Sequence, residues 1–167
     1  MTLAGPRLAR KRGRPYTSLA LPSERERRHR MKTKWSPWTS FSKLEKTPIP
    51  GKPGVYMVAT KKPFHRVIGT DPSGILHMGE SASLKERIWC FWRCASQRGR
   101  AGHMAGWRFA EYRMDKQFPL NTLYFRWWVA KSKQEAYKLE GEELANYFKK
   151  HCELPPLNYK FNWSTRL

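Results

Sequence analysis

Acidic residues are scarce in this chain: 13 Asp and Glu stand against 33 Lys and Arg, a formal net charge of +20 over 167 residues. Such an excess repels itself in a compact state, and binding a polyanion offsets it. Nucleic acid is the first candidate partner, because each Lys or Arg seated on a phosphate releases condensed counterions. Cysteine is also sparse. Cys90, Cys94 and Cys152 are an odd set without a CxxC pair, which argues against a disulfide framework and points to a reducing compartment, the cytoplasm. Cys90 and Cys94 share a helix face and could join His103 or Cys152 on zinc, but buried thiols fit a pair without CxxC better. No apolar run reaches the ~18 residues that a spanning helix needs, so no membrane partner is expected. Internal repeats are absent too.

What the chain does have is length enough for one domain with a core, plus a tail. Residues 1–34 carry eleven Lys and Arg against Glu24 and Glu26, with few apolar residues and no sustained periodicity. That composition predicts a flexible basic arm. Within it, Arg12-Gly13-Arg14-Pro15 resembles an AT-hook core, in which an extended Arg-Gly-Arg lies along a narrow A·T-rich minor groove. Generic attraction of Arg12 and Arg14 to phosphates is the simpler account of the same residues. The arm's apolar positions make no clear helical face of the kind a targeting segment needs.

From Trp35 onward the aromatic and apolar content rises, and residues 35–167 are expected to form the folded domain. Eight Trp, seven Tyr and eight Phe are interleaved with Arg in "WCFWR" (89–93) and "YFRWW" (124–128), as core with a basic rim or as platforms for bases. "TPIPGKPGVYMVAT" is a Pro/Gly lead-in to a strand over 55–60. A hairpin-like excursion with Val67 and Ile68 leads to a second strand over 75–80. "SLKERIWCFWRCASQ" reads as a helix with Ser83 as N-cap and an apolar stripe of Leu84, Ile88, Phe91 and Ala95. "RGRAGHMAGWRF" reads as a Gly-rich basic loop, whose Arg98, Arg100 and Arg108 are candidates to hold backbone phosphates. A strand over 123–130 and a second helix starting at Ser132 follow, and "LPPLN" returns the chain to the body. This order predicts an α+β fold with a small, mostly antiparallel sheet.

Three polar residues sit awkwardly in these elements. His77 lies at the centre of a short apolar strand, "GILHMGES". Glu140 falls in the stripe Ala136, Glu140, Leu144, Tyr147 of the last helix, where a carboxylate must be paired or hold a cation. A salt bridge to Arg is one answer, and a divalent-metal ligand is the other. Arg87 lies at the edge of the first helix's stripe, either snorkelling or aimed at a phosphate.

Taken in order, "GVY" (54–56), "HMG" (77–79), Arg87, Ala136-x-x-x-Glu140 and "PPLN" ending at Asn158 resemble the GIY-YIG nuclease superfamily over residues 50–158. The resemblance implies a three-stranded antiparallel sheet flanked by helices, with the two tripeptides on neighbouring strands. It further implies Mg²⁺-dependent (or Mn²⁺-dependent) hydrolysis of phosphodiester bonds, with double-stranded DNA as the partner. Residue by residue, Tyr56 would be the tyrosine beside the attacking water, Arg87 the catalytic arginine, Glu140 the metal-binding glutamate and Asn158 the asparagine that orients the site. Only about one tyrosine in a thousand is ionised at neutral pH, so a base at Tyr56 needs cations nearby.

The chain departs from the family's pattern at the second tripeptide. His77 replaces its tyrosine, and imidazole can still bond water or phosphate while titrating nearer neutrality. Glu80 stands where some members have Lys, and Phe91 where some have His; His103 in the basic loop is the candidate to serve instead. An inactive DNA-binding descendant and an RNA-directed nuclease or binding protein are the alternatives. The domain is small, so sequence recognition would come from inserted loops or from a second protomer in a homodimer.

Overall fold

A computed structural model of the chain describes residues 35–98 and 102–162. The basic arm expected over 1–34, with Arg12 and Arg14, lies outside the described residues, as does Arg100. The elements in chain order are β1 (Thr39–Ser40), β2 (Gly54–Ala59), β3 (Phe64–His65), β4 (Thr70–Asp71), β5 (Ile75–Ser81), α1 (Leu84–Ala95), α2 (Met104–Glu111), β6 (Tyr124–Val129) and α3 (Lys133–His151). The α+β class expected from the sequence holds.

The main sheet is antiparallel in the order β1–β6–β2–β5. It has four strands, not the expected three. The addition is β1, which pairs Thr39 with Phe125 and Ser40 with Tyr124 along the open edge of β6. Two residues carry no alternation that a sequence pattern could register. β3 and β4 form a separate hairpin whose connection carries Val67 and Ile68, both exposed, matching the excursion read from the sequence.

Every residue of β2 is buried, because the strand is central and helices cover both of its faces. On one face, Leu84, Ile88 and Phe91 of α1 and Ala105 and Phe109 of α2 pack with Tyr56, Val58, Leu76 and Phe125. On the other, Leu144 and Tyr147 of α3 pack with Met57, Ala59, Ile75 and Met78. Both long helices start as their sequences predict: Ser83 accepts the Glu86 N–H and Ser132 the Glu135 N–H, each satisfying an otherwise orphaned donor.

The stretch read as a Gly-rich loop contains a helix, α2. His103 caps it by accepting the Gly106 N–H, and Ala105, Phe109 and Ala110 form its buried side. Gly106 serves close packing here. A Cβ at that position would stand 2.7 Å from the Phe91 carbonyl oxygen and 2.8 Å from Cys94 Cβ, so only glycine lets α2 lie this close on α1. Among the described residues, no helix is long and apolar enough to cross a membrane.

Candidate functional site

The site is built by strand register. β2 and β5 pair Tyr56 with Gly79 and Val58 with His77, so Tyr56 and His77 are diagonal neighbours on one face of the sheet. Gly79 is the reason they can meet. A Cβ there would stand 2.7 Å from the Tyr56 hydroxyl oxygen and 2.8 Å from His77 Nε2, so the missing side chain is the space both groups use. The Tyr56 oxygen lies 3.0 Å from His77 Nε2.

Asn158 arrives from the other end of the chain. β5 is an edge strand, and its outward backbone is open to a partner. Leu157 donates its N–H to the Leu76 carbonyl at 2.9 Å. Asn158 then continues that pairing with its side chain: Oδ1 accepts the Met78 N–H at 3.0 Å and Nδ2 donates to the Met78 carbonyl at 2.8 Å. The same Oδ1 lies 3.1 Å from His77 Nδ1. Backbone pairing thus carries Asn158 to the histidine, and "PPLN" is the segment that does it.

His103 completes the cluster. Its Nε2 lies 2.5 Å from the Tyr56 oxygen, and the two imidazoles meet edge to face with centroids 5.5 Å apart. Its position follows from its role as the α2 N-cap, reinforced by its backbone N–H donating to the Cys94 thiol. The same packing sets the Phe91 ring edge to face against the His103 ring, with centroids 5.2 Å apart.

The cluster is dry. Tyr56 is 0 % exposed, His103 1 % and His77 8 %. Burial pushes the His77 imidazole down to about 3 and the His103 imidazole down to about 2, each lowered further by the charge of Arg87. Both rings are therefore neutral at physiological pH. Burial raises the Tyr56 hydroxyl, opposed by the charge of Arg87 and a hydrogen bond from it. Arg87 also donates from Nη1 to the Gly102 carbonyl at 3.1 Å. It is half-buried, beside the cluster, and is aimed at its polar end rather than snorkelling along the helix.

Glu140 stands apart from this hydrogen-bonded set. Its Oε2 accepts from Asn162 Nδ2 at 2.7 Å, and the Glu80 backbone also hydrogen-bonds its carboxylate. Burial raises its pKa, and the negative charge of Glu80 adds to the rise. Among the described residues, its link to Tyr56 is through charge. Two carboxylates near one another are hard-oxygen donors that suit Mg²⁺ or Mn²⁺. Among the described residues, no three His, Cys, Asp or Glu side chains converge as a metal-holding group. Glu80, a bare negative charge when read from the sequence, is ion-paired with Lys133 of α3.

Of the basic candidates, Arg108 lies with its guanidinium 4.5 Å over the exposed Tyr159 ring, and its charge reaches His77. Arg98 stands 5.2 Å over Trp92, on α1, and no contact among the described residues ties it to the cluster. One contributor carries no sequence signal as a site residue: Asn162 holds the Glu140 carboxylate. Outside the cluster, Glu143, one helical step from the stripe, is buried facing the charge of Arg126. A carboxylate beside two Glu neighbours in "EGEEL" could be weighed as buried only from the width of the α3 apolar face.

No protein-family model matches the chain, and no curated protein matches it either.

Proposed function

We propose that the protein is a Mg²⁺-dependent (or Mn²⁺-dependent) endonuclease that hydrolyses DNA phosphodiester bonds through a GIY-YIG-type site. The observation that carries this reading is the meeting of Tyr56, His77 and Asn158, from three separate segments, in one hydrogen-bonded cluster beside the Arg87 cation. Hydrolysis of a phosphodiester needs a water stripped of a proton and positive charge on the phosphorus centre. Arg87 supplies fixed positive charge, and Arg108 adds more on the Asn158 side. Glu140, with Glu80 beside it, is the carboxylate that would hold the metal, whose bound form adds Lewis acidity at the phosphate. The +20 charge and the basic arm support a nucleic-acid substrate held by its backbone.

One observation favours a second reading, a DNA-binding protein of the same fold without chemistry. The Tyr56 hydroxyl is fully enclosed, with His103 against its oxygen. Purified protein incubated with supercoiled plasmid and with oligonucleotide RNA, in Mg²⁺ or in EDTA, separates the readings. The expected result is Mg²⁺-dependent nicking of DNA that is lost in Glu140→Ala. Tight, salt-sensitive DNA binding with no cleavage of either polymer establishes the binding protein instead, and cleavage confined to RNA makes the substrate RNA.

A further inference from the structure

The hydrogen-bond directions within the cluster follow from its two ends, both of which are backbone. At one end the Gly106 N–H points at His103 Nδ1, 3.2 Å away. A backbone amide only donates, so Nδ1 is the bare nitrogen and the proton of the neutral ring is on Nε2. His103 Nε2–H therefore donates to the Tyr56 oxygen at 2.5 Å. At the other end, Met78 orients the Asn158 amide with its own N–H and carbonyl, which makes Oδ1 the acceptor facing His77. His77 then carries its proton on Nδ1, donates it to Asn158 Oδ1, and leaves Nε2 bare. Among the described residues, the donor facing that Nε2 is the Tyr56 hydroxyl, 3.0 Å away. The two ends are independent of one another, and they agree on one direction: His103 to Tyr56 to His77 to Asn158.

This is the geometry of a hydroxyl, a base and an orienting group, the arrangement that activates weak nucleophiles and bases elsewhere in enzymology. We propose that His77 is the general base for the Tyr56 hydroxyl, oriented by Asn158, while His103 Nε2–H stabilises the negative charge that develops on the tyrosine oxygen. The proposal rests on the phosphodiesterase reading for its use. The Tyr56 O–H bond breaks and an N–H bond forms at His77 Nε2, while the Nδ1 proton stays on His77, hydrogen-bonded to Asn158 Oδ1. The tyrosine oxygen takes a proton from the attacking water, whose oxygen adds to phosphorus opposite the departing ester oxygen. The departing oxygen takes its proton from solvent, and His77 afterwards returns its proton through Tyr56 to solvent. Tyr56 is enclosed, so water reaches its oxygen at the position Arg87 holds, when that guanidinium turns to a phosphate. Burial disfavours a free phenolate and a free imidazolium alike, so the two proton transfers are concerted, Tyr56 handing its own proton to His77 as it takes one from the attacking water.

The test has one measurement without activity and one with it. Long-range ¹H–¹⁵N correlation spectra of the full-length, histidine-labelled protein should show His103 as the Nε2–H tautomer and His77 as the Nδ1–H tautomer across pH 6–8. Either tautomer reversed, or either ring charged there, overturns the proposal whatever the protein cleaves. In DNA cleavage, His77→Phe should lower kcat by at least about 100-fold, the ordinary worth of a general base. His77→Tyr keeps a ring and a hydroxyl but cannot take the proton, so its residual rate should rise about tenfold per pH unit from 7 to 9 while wild type stays flat. Parallel profiles in wild type and His77→Tyr overturn the base assignment. Failure of the nuclease reading looks different: wild type then cleaves neither DNA nor RNA, and the tautomers still decide the proton path.

Discussion

Tyr56 and Gly79 face one another across β2 and β5, and the tyrosine's hydroxyl end occupies the place where a Gly79 side chain would stand. Gly79→Ala puts a carbon 2.7 Å from the Tyr56 oxygen and 2.8 Å from His77 Nε2, both far inside contact distance. Neither ring has room to retreat, since both are buried in packed surroundings. Overpacking of this kind costs about 1–3 kcal/mol. The expected outcome is a lower urea midpoint at unchanged m-value, with the His77 and Tyr56 ring resonances shifted. A variant as stable as wild type with unshifted rings would mean that β2 and β5 can part here without cost.

Stability should fall in mild acid, and the two cluster histidines set the window. Their folded values, about 3 for His77 and about 2 for His103, lie below the unfolded value of 6.5. Above pH 6.5 neither state binds the extra proton, so their neutral burial carries no penalty. As pH drops below 6.5, the unfolded chain gains protons that the folded one refuses, and stability is lost down to the folded values. At pH 5 the loss is about 2 kcal/mol per histidine. Glu143 works against this trend. Burial raises it to about 7, so the folded state binds its proton first and gains stability as pH falls from 7 toward 4.5. The histidine share is isolated by difference, comparing wild type with His103→Phe at pH 7 and pH 5. A gap between the two that does not change with pH would refute the neutral buried ring.

Arg126 and Glu143 are a second buried charge relationship, on the α3 side of the sheet. Arg126 lies between the Trp35 and Trp38 rings, at 4.6 and 4.5 Å, and its charge lowers the Glu143 carboxyl against the effect of burial. Removing the cation takes away the charge that favours the ionised carboxyl, so Arg126→Met should destabilise the fold at pH 8, where Glu143 ionises in the unfolded state. At pH 5.5 the penalty should shrink, because a protonated Glu143 needs no partner. Equal losses at the two pH values would assign the effect to the Trp packing alone.

The basic arm should act on affinity and not on chemistry. Deleting residues 1–34 removes eleven cationic side chains. The slope of log K against log salt for DNA binding should flatten by about 0.9 for each phosphate the arm no longer neutralises, while kcat at saturating DNA is retained. An unchanged slope would take the arm out of the interface.

Tyr56, His77, Arg87, Glu140 and Asn158 are legible in the sequence because each is a polar group in an apolar element or closes a spaced pattern. Ser83 and Ser132 mark helix starts through capping chemistry that acts within three residues. His103 is nameable only as a candidate, because it lies 47 residues from Tyr56 and the glycines around it suggest a loop. One of those glycines serves contact instead: Gly106 admits α1, and that packing brings the α2 N-cap onto the tyrosine. β1 is invisible since two residues have no period, and Asn162 because nothing local distinguishes an asparagine that meets Glu140 22 residues away.

Charge balance, periodicity and capping are local properties of the chain, and from them alone follow the expected class of partner, the α+β element order and most of the polar groups worth watching. How those groups meet is a matter of long-range packing. Strand register sets Tyr56 diagonal to His77, an edge strand receives Asn158, and helix packing aims His103 at the same oxygen. Hydrogen-bond direction depends on the most distant relationships of all, because the proton positions on two imidazoles are dictated by backbone groups at Gly106 and Met78 that no local pattern connects.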